Sequence, residues 1–185
     1  MDAHTPLPGD IRRILVLGST GSGKTTMAAA LAERLHVPHV EIDALHWLPD
    51  WEHLSDEELC ARIEAATRTD GWVLDGNYGK ARDVSWPRAQ AAVWLDYPFL
   101  TVFWRLLRRT LKRTLTREVL WGTNVERFWN QFRFWSDDSL FAWMIKTYGR
   151  RRRQYPALFA QPEYVHLKVY RFTKPAQADA WLNSP

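Results

Sequence analysis

Ile14-Leu15-Val16-Leu17-Gly18-Ser19-Thr20-Gly21-Ser22-Gly23-Lys24-Thr25 is the stretch on which the reading of this chain turns. Four apolar residues ending at a glycine read as a buried strand. The segment Gly18–Thr25 has the spacing G-x-x-x-x-G-K-T, and Lys24–Leu35 continues with Ala28, Leu31, Ala32 and Leu35 at helical intervals. A strand before this loop and a helix after it are the setting in which the spacing carries chemistry. The glycines allow a tight turn whose successive N–H groups face inward and can cradle phosphate oxygens. The helix beginning near Lys24 adds the positive end of its dipole. Lys24 is then placed for the β- and γ-phosphates of a nucleoside triphosphate, and the Thr25 hydroxyl for Mg²⁺. Gly18, Ser19, Thr20, Gly21, Ser22, Gly23, Lys24, Thr25 and Thr26 together are the expected phosphate-binding set, with ATP and Mg²⁺ as the expected cofactors.

On either side of this unit, short apolar runs alternate with helical patterns. Strands are expected at His39–Ile42, Trp72–Leu74, Ala91–Leu95 and Val165–Phe172. Helices are expected at Ser55–Thr69, opened by a Ser55/Glu58 capping box, at Phe99–Arg117, and at Ser136–Tyr155, stopped by Pro156. A last helix, Pro175–Leu182, starts on proline. The alternation predicts a three-layer α/β fold: a five-stranded parallel sheet with helices on both faces. Residues 117–136 have no clear period and are expected to be a helical, lid-like insertion or an irregular packed connection. The whole of 1–185 reads as one domain.

Gly18, Asp43, Asp75 and Asp96 each fall at the carboxyl end of an expected strand, where ligands of such sheets bind. Carboxylates gathered around a phosphate cradle imply a cation among them. Asp75 or Asp43 is placed to take a proton from an acceptor hydroxyl, while Asp96, before Tyr97-Pro98, is equally a plain turn residue. On the helix from Phe99, Val102, Phe103, Leu106 and Leu107 share one side with it, and Arg105, Arg108, Arg109 and Lys112 take the other. Like charges one turn apart disfavour a bare helix, a cost easier to understand if a polyphosphate neutralises them. Arg150–Arg153 point all round a second helix; Arg150, together with Lys146, is the candidate to reach the transferring phosphate. The six histidines show no metal-binding spacing, and His46 is a candidate for the acceptor pocket beside Asp43.

The bulk numbers narrow the field. The chain has 185 residues, 46% of them hydrophobic, which is ordinary globular composition. Its net charge of +4 is concentrated in the two arginine clusters, as an anionic partner would require. The single cysteine, Cys60, permits no internal disulfide, which suits a reducing compartment. No apolar run approaches a membrane span, so a cytoplasmic location is expected. Nine of the eleven tryptophans precede residue 136, as core filling or as an aromatic wall for a substrate.

The chain resembles the adenylate-kinase-like small P-loop kinases, within them the bacterial topology modulation or FlaR-related proteins. The resemblance is carried by the phosphate loop, Ile42-Asp-Ala-Leu-His-Trp-Leu-Pro49, Leu74-Asp-Gly-Asn-Tyr78, Val93-Trp-Leu-Asp-Tyr-Pro98 and Thr173-Lys174-Pro175. It implies a catalytic set of Lys24, Asp75, Asp43, Arg105 and Arg109. Asp75, with Thr25, would hold Mg²⁺ through water or stand near the acceptor. Asp43 would contact the acceptor, in a pocket shared with His46, Asn77, Tyr78 and Arg82. Arg105 would lie against adenine and phosphates, and Lys174 and Pro175 would pack on adenine. Adenylate kinases follow their Asp-Gly with Phe-Pro-Arg, and that arginine grips a monophosphate acceptor. Here Gly79 takes its place, with Lys80 or Arg82 as substitutes. The leading expectation is ATP-dependent phosphoryl transfer to a small molecule. Nucleoside or nucleotide kinase activity, and nucleotide-dependent binding of nucleic acid with an effect on DNA topology, are the alternatives. Oligomeric state is left open.

Overall fold

The structure, a computed structural model, describes residues 5–116, 118–121, 124–125 and 139–184. Its centre is a five-stranded sheet built from β1 (Arg13–Gly18), β2 (His39–Glu41), β3 (Trp72–Asp75), β4 (Ala91–Leu95) and β7 (Lys168–Phe172). The order is β2-β3-β1-β4-β7 and every pairing is parallel. β1 therefore lies in the middle, with the phosphate loop leaving its carboxyl end. Around the sheet are α1 (Lys24–Leu35), α2 (Ile42–His46), α3 (Asp56–Ala66), α4 (Arg82–Ser85), α5 (Phe99–Thr116), α6 (Leu140–Phe159) and α7 (Pro175–Leu182).

The strands alternate between two cores. Ile14 and Val16 of β1 face one side with Val73, Val93 and Leu95, covered by α1, α5 and α7. Leu15 and Leu17 face the other with Trp72, Leu74 and Trp94, covered by α3. Side chains of successive strand residues point to opposite faces, so an unbroken apolar run is what a sheet buried on both sides requires. Helix α6 contributes to both cores: Phe141 and Met144 to the first, Tyr155 and Phe159 to the second. It thus bridges the two faces, and at about 1.5 Å per residue it is long enough to do so.

The expected architecture holds, with corrections at element ends. The second strand stops at Glu41, because Ile42 starts the short helix α2. The last strand starts at Lys168 and not at Val165; residues 161–167 are turns closed by Tyr164 N–H to the Gln161 carbonyl and Leu167 N–H to the Tyr164 carbonyl. Pro156 does not stop its helix, which runs on to Phe159. The missing N–H and the clash with the preceding turn cost stability, but burial of Tyr155 and Phe159 against Trp86 and Trp94 offsets it. The helix expected from Ser136 has its described start at Leu140, where the Ser139 hydroxyl accepts the Ala142 N–H. The capping box of α3 is as expected, with Ser55 and Glu58 bonded reciprocally. Within 117–136, the described residues form an antiparallel pair, β5 (Val119–Leu120) with β6 (Asn124–Val125). The rest of the expected lid-like insertion lies outside the described residues.

Candidate functional site

The phosphate loop sits over α5. Gly21 has φ +85°, and a Cβ there would meet the Leu106 Cβ at 2.8 Å and the Val102 carbonyl at 2.9 Å, so only glycine lets loop and helix approach this closely. Gly23, the residue before α1, also takes a left-handed conformation, with φ 91°. The first-turn amides of α1, from Lys24, Thr25 and Thr26, have no acceptor within the helix and remain available to an anion. Thr25 and Thr26 are exposed at the mouth. The loop's root is clamped by Asn77. Its amide accepts the Gly18 N–H (3.2 Å) and donates to the Gly18 carbonyl (2.5 Å), and its oxygen also accepts the Tyr155 hydroxyl (2.8 Å). Asn77, expected at the acceptor, has its polar atoms committed to the loop.

Lys24 is half-buried among charges. Desolvation lowers its pKa, while the negative charges of Asp75 and Asp43 pull it back up. Its ammonium donates to the Ser19 carbonyl at 3.4 Å. Asp75, at the end of β3, is buried with His39 Nε2 at 3.2 Å from its carboxylate. Asp43, in α2, has its pKa raised by burial; Lys24 counteracts this, and so does a hydrogen bond from the Tyr78 hydroxyl. Tyr78 is pushed up in turn, by burial and by the Asp43 charge. Its ring lies 4.7 Å from that of His46, which stacks on His53 at 5.3 Å. The pKa of His46 is lowered by burial and by its neighbour His53. Trp47, Trp51 and Trp121 extend this aromatic group. The Trp121 indole bonds Glu41. Asn124 donates to the Leu48 carbonyl at 2.8 Å and accepts the Trp51 N–H at 2.9 Å, which ties the β5–β6 pair to this side of the site.

Of the α5 arginines, Arg105 donates to the Ser22 carbonyl at 3.1 Å and stacks over Tyr97 at 5.5 Å. Arg109, one turn on, is near enough to act on the charges of both Lys24 and Asp43. Lys174 and Pro175 follow β7, whose last residue pairs with Leu95, itself paired with Gly18. They therefore lie at the carboxyl edge of the sheet, two strands from the loop. Arg82 stacks over Trp86 at 5.3 Å and lines a small cavity with Asn77, Tyr78 and Tyr155, while Lys80 is held by Asp56.

The arginine cluster of α6 resolves differently from the expectation. Arg150 and Lys146 are exposed. Arg151 is the one turned inward, among Tyr155, Asp43 and Tyr78, and burial lowers its pKa. Its buried Nη1 has no hydrogen-bond partner among the described residues. Four arginines in a row gave no sequence signal for which one faces in; the path of α6 over the sheet selects it. Arg152 instead pairs with Asp96 at 2.8 Å, and Arg171 does so at 2.5 Å. Asp96 is thus a buried anchor between β4, β7 and α6, not a group of the cradle. Among the described residues no group of three or more His, Cys, Asp or Glu is arranged to hold a metal. Mg²⁺ retains waters and phosphate ligands and needs only one or two protein oxygens; Thr25, exposed at the loop, and Asp75, buried at the end of β3, each carry a donor of that kind.

Comparison with known proteins agrees with this geometry. Residues 14–74 match the family described as ATPase family associated with various cellular activities (AAA). A protein named adenylate kinase 1 from Nostoc sp. is 31% identical over 86 residues, covering 35% of this chain and 46% of the relative. The chain thus spans about half the length of the curated relative that it matches. Among solved structures, a gluconokinase from Sinorhizobium meliloti 1021 is similar with TM-score 0.51 and 20% identity, covering 94% of this chain and 92% of that one. A shikimate kinase from Bacteroides thetaiotaomicron gives TM-score 0.54 and 18% identity, covering 93% and 94%. A sugar kinase from Janibacter sp. gives TM-score 0.51 and 17% identity, covering 93% and 90%. Sheet order, loop and neighbours together make this an α/β P-loop kinase fold.

Proposed function

We propose that the protein is an ATP-dependent phosphotransferase acting on a small hydroxylated molecule. The supporting observation is Lys24, half-buried in the Gly18–Thr25 loop and close enough to Asp75 and Asp43 to feel both charges. The kinase names of the structural neighbours and of the Nostoc relative point the same way. In this reading the loop amides and Lys24 hold the β- and γ-phosphates, and Arg105, Lys174 and Pro175 flank the nucleoside. Thr25 and Asp75 would hold Mg²⁺, which when bound offsets charge on the phosphate oxygens. The acceptor hydroxyl oxygen bonds to the γ-phosphorus as the bond to the β–γ bridging oxygen breaks, leaving ADP. The hydroxyl proton passes to Asp43. A carboxyl raised by burial is better matched to that task near neutral pH than an exposed aspartate. Arg109 and Arg151 stabilise the charge spread over the transferring group.

A nucleoside monophosphate acceptor is less well supported, since Gly79 stands where its arginine would be, Lys80 is bound to Asp56 and Arg82 is stacked on Trp86. The narrower kinship with topology modulation or FlaR-related proteins rests on Asp43-Ala-Leu-His-Trp47 and Asp75-Gly-Asn-Tyr78 alone. The test is an ATP-consumption screen across nucleosides, monophosphates, sugars and hydroxy acids, run beside Lys24→Ala. Turnover with one acceptor class, lost in Lys24→Ala, is the expected result. Unchanged ATP affinity and turnover in that variant would refute the reading.

A further inference from the structure

We infer a second ligand site, for a small phosphorylated polyol, at the opposite end of the sheet from the phosphate loop. A cleft of about 550 Å³ opens where β1, β4 and β7 begin, at Arg13, Gln90 and Lys168. That volume lies in the range of small-molecule sites, about 300–1,000 Å³. Four cations line it: Arg13, Arg68, Arg88 and Lys168. Among the described residues none of the four forms an ion pair with a carboxylate. Cations clustered in excess over carboxylates in a concave site raise the local concentration of anions.

The cleft is also built, not merely charged. Arg13 Nε donates to the Arg88 carbonyl at 2.6 Å, and Arg88 is fixed by the Thr67 hydroxyl (3.2 Å) and the Thr67 carbonyl. Gln90 accepts the N–H groups of Arg12 (2.9 Å) and Arg13 (3.0 Å) and donates to the Asp10 carbonyl at 3.2 Å. Guanidinium groups held in place this way lose little freedom on binding.

The rest of the lining selects the ligand. Asp10 and Asp70 stand in the same cleft. They would repel a bare polyphosphate or a continuous nucleic-acid backbone, yet carboxylates accept hydrogen bonds from hydroxyl groups. The lining holds no Phe, Tyr or Trp on which a base could stack. Cations for a phosphate, carboxylates for hydroxyls and no aromatic platform together fit a sugar phosphate or similar compound. This site uses none of the residues of the proposed phosphotransfer centre and stands or falls independently of it.

NMR titration of isotopically labelled protein with glucose 6-phosphate tests it, because the His166 ring and the Gln90 side-chain amide line the cleft and report locally. Saturable shifts of both signals are expected, with Gly18–Thr25 amides unmoved. The Arg68→Ala/Lys168→Ala double variant, which changes two exposed side chains, should weaken binding about tenfold or more. Arg68→Gln alone should weaken it in the same direction and serves if the double variant melts early. Silent His166 and Gln90 signals, or shifts undiminished in the variants, would overturn the proposal. So would tighter binding of inorganic pyrophosphate or a single-stranded oligonucleotide at the same signals.

Discussion

Asp43, Tyr78, Arg151 and His46 are the side chains whose environments make the most specific demands. Burial holds Asp43 above the usual aspartate range. If Asp43 is the proton acceptor, the acid limb of the pH–kcat profile should lie above that range and disappear, with most activity, in Asp43→Asn. Arg151 carries a buried N–H that an anion would satisfy. Arg151→Ala should cut kcat by about a hundredfold or more in an ATP-consumption assay, while Arg150→Ala, at an exposed position, should leave it near normal. His46 titrates below the ordinary imidazole range because burial and His53 disfavour its charged form. The unfolded chain then binds the proton more readily than the folded one. The contribution of His46 to stability is complete above the unfolded value and is lost as pH falls through the lower folded value. Urea unfolding between neutral and mildly acidic pH should show wild type losing stability faster than His46→Gln.

The elements that frame the site owe their placement to a few contacts. Tyr155 in α6 bonds Asn77, which bonds Gly18, so one helix steadies the base of the phosphate loop. Burial raises the pKa of Tyr155 to about 12, keeping its hydroxyl protonated and able to donate. Tyr155→Phe removes that donor with little change of shape. It should cost about 1 kcal/mol in urea unfolding and raise KM for ATP. Pro156 stands inside the same helix at an exposed position. Pro156→Ala restores an N–H toward the Arg152 carbonyl, against a modest gain in unfolded-state freedom. A net stabilisation of about 1–2 kcal/mol is expected from denaturant melts.

Across the molecule, α6 joins both faces of the sheet, and Asp96 fastens it there. The carboxylate of Asp96 is buried, with Arg152 and Arg171 on it, and Arg171 also stacks over Trp94 at 4.6 Å. Asp96→Asn leaves two half-exposed arginines without their counter-charge. A loss of about 1–3 kcal/mol is expected, little changed by salt because the carboxylate is buried. The chain therefore presents two ends with different chemistry. At the carboxyl end lie the phosphate loop and the Lys24–Asp75–Asp43 group; at the amino end lies the cleft between Arg13, Arg88 and Lys168. No helix among the described residues is long and apolar enough to cross a membrane.

Local chemistry made the loop, the parallel sheet and the carboxyl-end aspartates legible in the linear chain. A glycine turn, a period-two apolar run and a strand end each depend on neighbours within a few residues. Helix ends near Pro156 and Ile42 escaped that reading, because burial of Tyr155 and Phe159 outweighs a proline and a short helix has too few residues for a period. The inward choice of Arg151 over Arg150, the turn of Asn77 toward Gly18 and the capture of Asp96 by Arg152 and Arg171 join residues 56 to 78 positions apart or follow from where α6 lies. Such contacts exist only once the helices are docked on the sheet, since charge and hydrogen-bonding partners are set by proximity in space and leave no period or spacing in the chain.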